Sequence, residues 1–246
     1  MSPAAEARLA PWRESGRIVA LAGEPGPGPD VLVVGGLHGN EPEGLVAGEG
    51  VMRVIAESSE APPGRIALVA GNLGAIRAGR RFQDRDLNRG WSEVSLDRVR
   101  SRRVHERSRE DREQLDLIAC FESFAAGAQN GLVMLDLHIT SADAPPFSVI
   151  IDSARNWPLA AAISYPVILG FDMQVDSPIL SWFHNRQWPA VGVEGGNSSD
   201  ATAETNLTEA TWRFLGALGW PYPEAAAEAE PGSAYRIVYR HTVVPG

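Results

Sequence analysis

Val31-Leu-Val-Val-Gly-Gly-Leu-His38-Gly-Asn-Glu41-Pro-Glu-Gly44 is the stretch on which the fold turns. Val31–Val34 is an unbroken run of β-branched residues and leucine, the pattern of a strand buried on both faces. Gly35-Gly36 ends it. From Glu43 to Ala56 the apolar residues Leu45, Val46, Val51, Val54 and Ile55 fall at helical spacing. A buried strand, a glycine turn and a helix in succession form the first half of a crossover unit. His38 and Glu41 stand in the turn between them.

The same alternation continues along the chain. Arg17–Ala22, Arg65–Ala70, Leu132–Leu137, Ser148–Asp152, Val167–Phe171 and Pro189–Val193 read as short apolar strands. Leu115–Ala128 and Ala203–Leu218 read as helices. This predicts an α/β fold with a mixed, mostly parallel central sheet and helices on both faces. In such sheets ligands bind beyond the carboxyl ends of the strands. Gly79–Trp91 reads as a polar loop, and Ser95–Glu113, dense in charges of both signs, as a solvated helix face or mobile loop. Residues 1–15 read as a loosely held arm. Pro221–Gly232 reads as a linker, and Tyr235–Val244 as a further strand.

With 246 residues the chain is long enough for one sizeable α/β domain. Its formal net charge of −9 disfavours bulk attraction to nucleic acid or an anionic membrane. All 22 basic residues are arginine. A phosphate-loop lysine and a lysine Schiff base are therefore both excluded. Cys120 is the only cysteine, so no internal disulfide can form, and a cytoplasmic location is expected. The N-terminus lacks the basic and apolar regions of a signal peptide, and no run is apolar enough to span a membrane.

His38 and Glu41 after one strand and His138 after another could supply two nitrogens and a carboxylate oxygen to one metal. That set leaves a fourth position open, as in catalytic zinc sites. Each histidine alone reads more readily as a hydrogen-bonded loop residue than as a ligand. The glycines around His38 could instead cradle a phosphate, but they lack the dinucleotide spacing, and Glu41 would repel an anion. Arg81 to Arg89 (RFQDRDLNR) gathers arginines suited to forked binding of a carboxylate, or simply forms a charged loop. Glu194 ends an apolar run before Gly195-Gly196, where a carboxylate is costly unless paired or functional.

In chain order, Gly35–Gly44, Gly71-Asn-Leu73, Arg81 with Asp86-Leu-Asn-Arg89, Leu135-Asp-Leu-His-Ile-Thr140 and Val193-Glu-Gly195 resemble the succinylglutamate desuccinylase/aspartoacylase family, within the zinc carboxypeptidase superfamily. The resemblance spans most of residues 31–196. It implies one Zn2+ per chain held by His38, Glu41 and His138. It implies Glu194 as general base and Arg81 as the cation polarising the scissile carbonyl. Asn88 and Arg89 would clamp the substrate carboxylate. Asp86 would hydrogen-bond a ligand histidine, with His38 the expected partner, and Asp136 is a candidate for a similar orienting role.

His184 is the candidate contact on the acyl side, with Arg186 beside it. His105 and His241 read as surface or structural residues, and Cys120 as core packing.

The implied reaction is metal-assisted hydrolysis of a small N-acyl amino acid to a carboxylate and a free amino acid. A carboxypeptidase trimming a short peptide and a non-catalytic zinc-dependent binding module remain open as alternatives. An acidic chain can still bind an acidic substrate, because the local field of zinc, Arg81 and Arg89 would outweigh a net charge that salt screens beyond about 8 Å. The resemblance also implies a catalytic domain over residues 1–222. Residues 223–246 would form a linker and the start of a shortened β-rich C-terminal segment. A homo-oligomer is left open.

Overall fold

The computed structural model describes residues 16–197, 202–221 and 232–238. The N-terminal arm, most of the expected linker, His241 and the end of the Tyr235–Val244 strand lie outside the described residues.

The described strands are β1 (Ile18–Ala22), β2 (Asp30–Gly35), β3 (Ile66–Ala70), β4 (Leu132–Thr140), β5 (Phe147–Val149), β6 (Val167–Leu169), β7 (Ala190–Asn197) and β8 (Ala234–Arg236). They form one sheet in the order β1-β3-β2-β4-β7-β5-β6-β8. β1 runs antiparallel to β3, and β5 antiparallel to β7; the other pairings are parallel. The expected mixed, mostly parallel sheet is therefore present.

Side-chain alternation sorts the core into two layers. Val31, Val33, Leu135, Leu137, Val191 and Val193 face one layer, closed by α1 (Glu43–Glu57), α5 (Trp157–Ile163) and α8 (Ala203–Gly216). Leu32, Val34, Leu132, Met134 and Ala190 face the other, closed by α4 (Arg109–Ala125) and α7 (Ile179–Asn185). Smaller helices are α2 (Leu73–Ala78), α3 (Glu93–Ser101) and α6 (Phe171–Gln174). On α1, Leu45, Val51, Met52 and Ile55 are buried, as the helical spacing predicted. Gly44 lets this helix approach β4, since a Cβ there would lie 2.9 Å from Leu137 Cβ.

β2 is flanked by β3 on one side and β4 on the other. The β2–β3 crossover carries α1 on one face, and the β3–β4 crossover carries α4 on the opposite face. The chain thus reverses its winding between β2 and β4, and a crevice opens at their carboxyl ends.

Several sequence expectations change. β4 continues through Thr140 and β7 through Asn197, so His138 and Glu194 lie within strands rather than past them. Their strands keep pairing there because the polar side chains enter a protein-walled crevice rather than water. The Ser148–Asp152 and Val167–Phe171 runs shorten to three-residue strands, and Phe171 opens α6.

The larger correction concerns Ser95–Glu113. Its first part is α3 and a short 3-10 turn at Val104–Glu106, with His105 exposed. Ser108 and Asp111 then form a reciprocal cap at the start of α4. Glu110 and Asp111 are fully buried rather than solvated. They are satisfied by the polar loop that precedes them, as described next.

Candidate metal centre

On β4, Leu132 and Met134 are followed on the same face by Asp136 and His138. On β7, Ala190 and Gly192 are followed in the same way by Glu194. His138 and Glu194 are Cα partners across the parallel pair. Apolar alternation thus gives way to chemistry at the carboxyl end of both strands.

His38 follows β2, and Gly39 lets the turn pass against α2. A Cβ on Gly39 would come 2.2 Å from the Ala75 carbonyl carbon, so no side chain fits. Glu41 N–H then donates to the His38 carbonyl at 3.1 Å, turning both side chains to one point.

His38, Glu41 and His138 are each at least nine-tenths buried, and their potential ligand atoms all lie within 4.8 Å of one another. His38 Nδ1 lies 3.0 Å from Glu41 Oε1 and His138 Nδ1 lies 3.0 Å from Glu41 Oε2. The opposite ring nitrogens meet carboxylates: His38 Nε2 is 3.1 Å from Asp86 Oδ1, and His138 Nε2 is 2.8 Å from Asp136 Oδ2. A carboxylate only accepts hydrogen bonds, so each Nε2 carries the proton in the neutral ring. Both Nδ1 lone pairs then point toward Glu41. This is the arrangement that orients histidines for a metal.

A cation fits this set on two grounds. His38 Nδ1 is buried and makes no hydrogen bond. Glu41, Asp86, Asp136 and Glu194 bring four carboxylates, against the two guanidinium groups of Arg81 and Arg89. With neutral imidazoles, a divalent ion would balance the difference. Two nitrogens and one carboxylate match a catalytic zinc site better than an oxygen-only cage for calcium or magnesium.

The electrostatics follow from these contacts. Burial alone would raise the Glu41 pKa, but the adjacent His138 and His38 side chains prevail and lower it to about 2. Burial likewise opposes ionisation of Asp86, yet His38 and Arg89 hold its pKa well below the carboxylate range. Glu194 goes the other way. Burial raises its pKa, and the nearby charges of Glu41 and Asp136 add to the rise, against the attraction of His138 and His38. Its Oε2 is buried without a hydrogen-bond partner.

Arg81 donates to Glu41 Oε1 at 2.9 Å, with its second nitrogen 3.5 Å from Asp86 Oδ2. Arg89 Nη2 lies 3.7 Å from the same oxygen. Asn88 accepts the Ile179 N–H at 2.8 Å through its side-chain oxygen. Arg81, Asn88, Arg89, Asp136, His138, His38 and Glu194 line one cavity.

His184 does not join them. It sits near the end of α7, beyond the cavity-lining Pro178 and Leu180. Arg186 is occupied elsewhere: it stacks 3.8 Å above the Trp182 ring and donates to Glu93 at 2.9 Å. These contacts pin α7 within the aromatic cluster of Phe121, Trp182, Phe183 and Trp188. Cys120 packs half-buried beside the same layer, as expected.

The groups that fasten the arginine loop were not singled out from the sequence. Glu110 accepts the backbone N–H groups of Gln83, Asp84 and Arg85 at 2.7, 2.9 and 3.2 Å. Asn72, which caps α2, adds its side-chain N–H to Glu110 at 3.1 Å. Asp111 and Gln114 bind the Arg85 guanidinium at 3.1 and 2.7 Å. The one signal available was the Ser108-x-x-Asp111 cap, which marks a helix start inside the charged run.

Three comparisons bear on this architecture. A family model described as the succinylglutamate desuccinylase/aspartoacylase catalytic domain matches residues 27–215. Succinylglutamate desuccinylase of Pseudomonas paraeruginosa is 39% identical over 62 residues, which is 25% of this chain and 19% of that protein. Among solved structures, succinylglutamate desuccinylase from Chromobacterium violaceum aligns with a TM-score of 0.67 at 19% identity, covering 94% of this chain and 80% of the other. The succinylglutamate desuccinylase/aspartoacylase from Rhodobacter sphaeroides aligns with a TM-score of 0.65 at 21% identity, covering 89% of this chain and 65% of the other. At these identities the structural matches establish the fold.

Proposed function

Because the chain belongs to the succinylglutamate desuccinylase/aspartoacylase family, we propose that it is a zinc-dependent hydrolase of small N-acyl amino acids, of the N-succinyl or N-acetyl type. The supporting observation is the convergence of His38 Nδ1, His138 Nδ1 and Glu41 beside an unpaired Glu194 oxygen. A binding module would have no use for that buried carboxylate.

His38, Glu41 and His138 would hold one zinc ion. When bound, zinc supplies Lewis acidity toward the water nucleophile and the scissile carbonyl. Asp86 and Asp136 keep both imidazoles turned with Nδ1 inward. Arg89 and Asn88 hold the free carboxylate of the substrate and so orient its amide. Arg81 faces the carbonyl oxygen and stabilises the charge that develops there. Glu194 takes a proton from the attacking water and returns it to the departing nitrogen. Hydroxide adds to the carbonyl carbon, the C–N bond breaks, and a carboxylate and a free amino acid leave. A raised Glu194 pKa suits this exchange, since a base nearer neutrality also serves as the acid.

The rest of the reading is a soluble cytoplasmic enzyme with a small-molecule partner. No helix among the described residues is long and apolar enough to cross a membrane. Release of free amino acid from N-acetyl and N-succinyl amino acids tests the proposal. Hydrolysis should cease on chelation and return with added zinc. Hydrolysis that persists in fully chelated protein would refute the metal-dependent reading.

A further inference from the structure

The cavity is lined by two unlike sets of residues. Arg81, Asn88 and Arg89 form the polar set. Phe147, Val149, Phe171, Pro178, Leu180 and Gly192 form the apolar one. Phe147 and Val149 lie on β5 as the Cα partners of Glu194 and Gly192, so this wall begins directly beside the candidate base. Gly192 in turn pairs with Asp136 and leaves the space in front of it open, its nearest neighbour being Leu180 Cδ1, 3.6 Å from where a Cβ would stand.

The two sets adjoin through Asn88. Its side-chain oxygen accepts the N–H of Ile179, the residue between the wall-lining Pro178 and Leu180. A carboxylate held by Asn88 and Arg89 therefore sets the other substituent of its Cα against the wall. That substituent is the amino acid's own side chain.

Among the described residues, no guanidinium other than those of Arg81 and Arg89 lines the cavity. Besides His38 and His138, which would hold the metal, the other ionisable groups in the lining are the carboxylates of Asp136 and Glu194. A second substrate carboxylate would lose water against hydrocarbon and face like charges, with no further guanidinium among the described residues to meet it. An aliphatic or aromatic side chain would instead gain from burial.

We infer that the wall selects N-acyl amino acids with uncharged, apolar side chains, of the leucine, methionine or phenylalanine class, over N-acyl aspartate or glutamate. The inference rests on the hydrolase reading for which side of the amide the wall serves. It differs from the substrate in the names of the desuccinylase relatives.

The test holds the acyl group constant. N-acetyl derivatives of leucine, methionine, phenylalanine, aspartate, glutamate and lysine are given to the zinc-loaded chain, with N-succinylglutamate as a further arm. Their binding to zinc-loaded Glu194→Gln is measured by calorimetry. The apolar derivatives should lead the acidic ones by about 100-fold in kcat/KM and in affinity. Phe171→Arg, at the half-buried edge of the wall, should narrow that ratio at least tenfold.

Equal or better binding of the acidic derivatives overturns the inference and leaves the hydrolase reading standing. Preference for the lysine derivative also overturns it, and would assign the unpaired Asp136 oxygen to a cation. Selective binding of the apolar derivatives without hydrolysis supports the wall and removes the hydrolase reading. No binding by any derivative overturns the inference.

Discussion

Glu194→Gln lowers kcat for amide hydrolysis by about a thousandfold, with zinc content unchanged and KM within a few fold of wild type. Glutamine keeps the shape of the side chain and removes its capacity to take a proton. Glu194 stands beside His138 in the strand register and is not one of the three grouped ligands. Its Oε2 has no hydrogen-bond partner to lose, so the substitution costs little in stability. A kcat and pH profile indistinguishable from wild type would remove Glu194 from the chemistry. The expected size follows from general acid–base catalysis, which contributes roughly 10²–10⁴-fold.

Glu110→Ala has the largest expected effect on stability. Glu110 is fully buried and accepts three consecutive backbone N–H groups and the Asn72 amide. Alanine leaves these donors without their acceptor, at about 1–3 kcal/mol for each that water cannot reach. A loss of about 3–5 kcal/mol follows, and a fall in Tm of about 10 °C. KM rises as well, because the same loop carries Arg81 and Arg89. Burial raises the Glu110 pKa, but the N–H bonds outweigh it and the net shift is downward. Its contribution is therefore fully present above the ordinary carboxylate range and is lost as pH falls through the lowered folded value. Glu110→Gln should flatten that acid limb. Thermal and acid unfolding of the variants checks both points; a loss below about 1 kcal/mol with unchanged KM would contradict the anchoring role.

Periodicity reveals the sheet well where strands are apolar throughout. Val31–Val34 and Leu132–Leu137 became neighbouring interior strands because only sheet interior buries such runs on both faces. It stops short at the site, because Asp136, His138 and Glu194 break the apolar pattern while the backbone keeps pairing. The charged run Ser95–Glu113 misled for a related reason. Charge in a helix start usually means solvent, and only a returning loop with unpaired N–H groups makes Glu110 and Asp111 interior. Nothing local to those residues announces that loop. His184 was a candidate for its place upstream of Glu194, where the resemblance expects an acyl-side contact, and it is not among the residues that line the cavity. The apolar wall was equally illegible, since it draws on β5, α6, α7 and β7, which are separated in sequence and meet only in the fold.

The most direct test of the metal centre is zinc content per chain in the wild type and in His138→Ala, purified without chelator and dialysed. The account predicts about one zinc per wild-type chain and essentially none in the variant, since two remaining ligands cannot hold it through dialysis. Wild-type protein that takes up no zinc, or a His138→Ala variant that keeps it in full measure, would contradict the account.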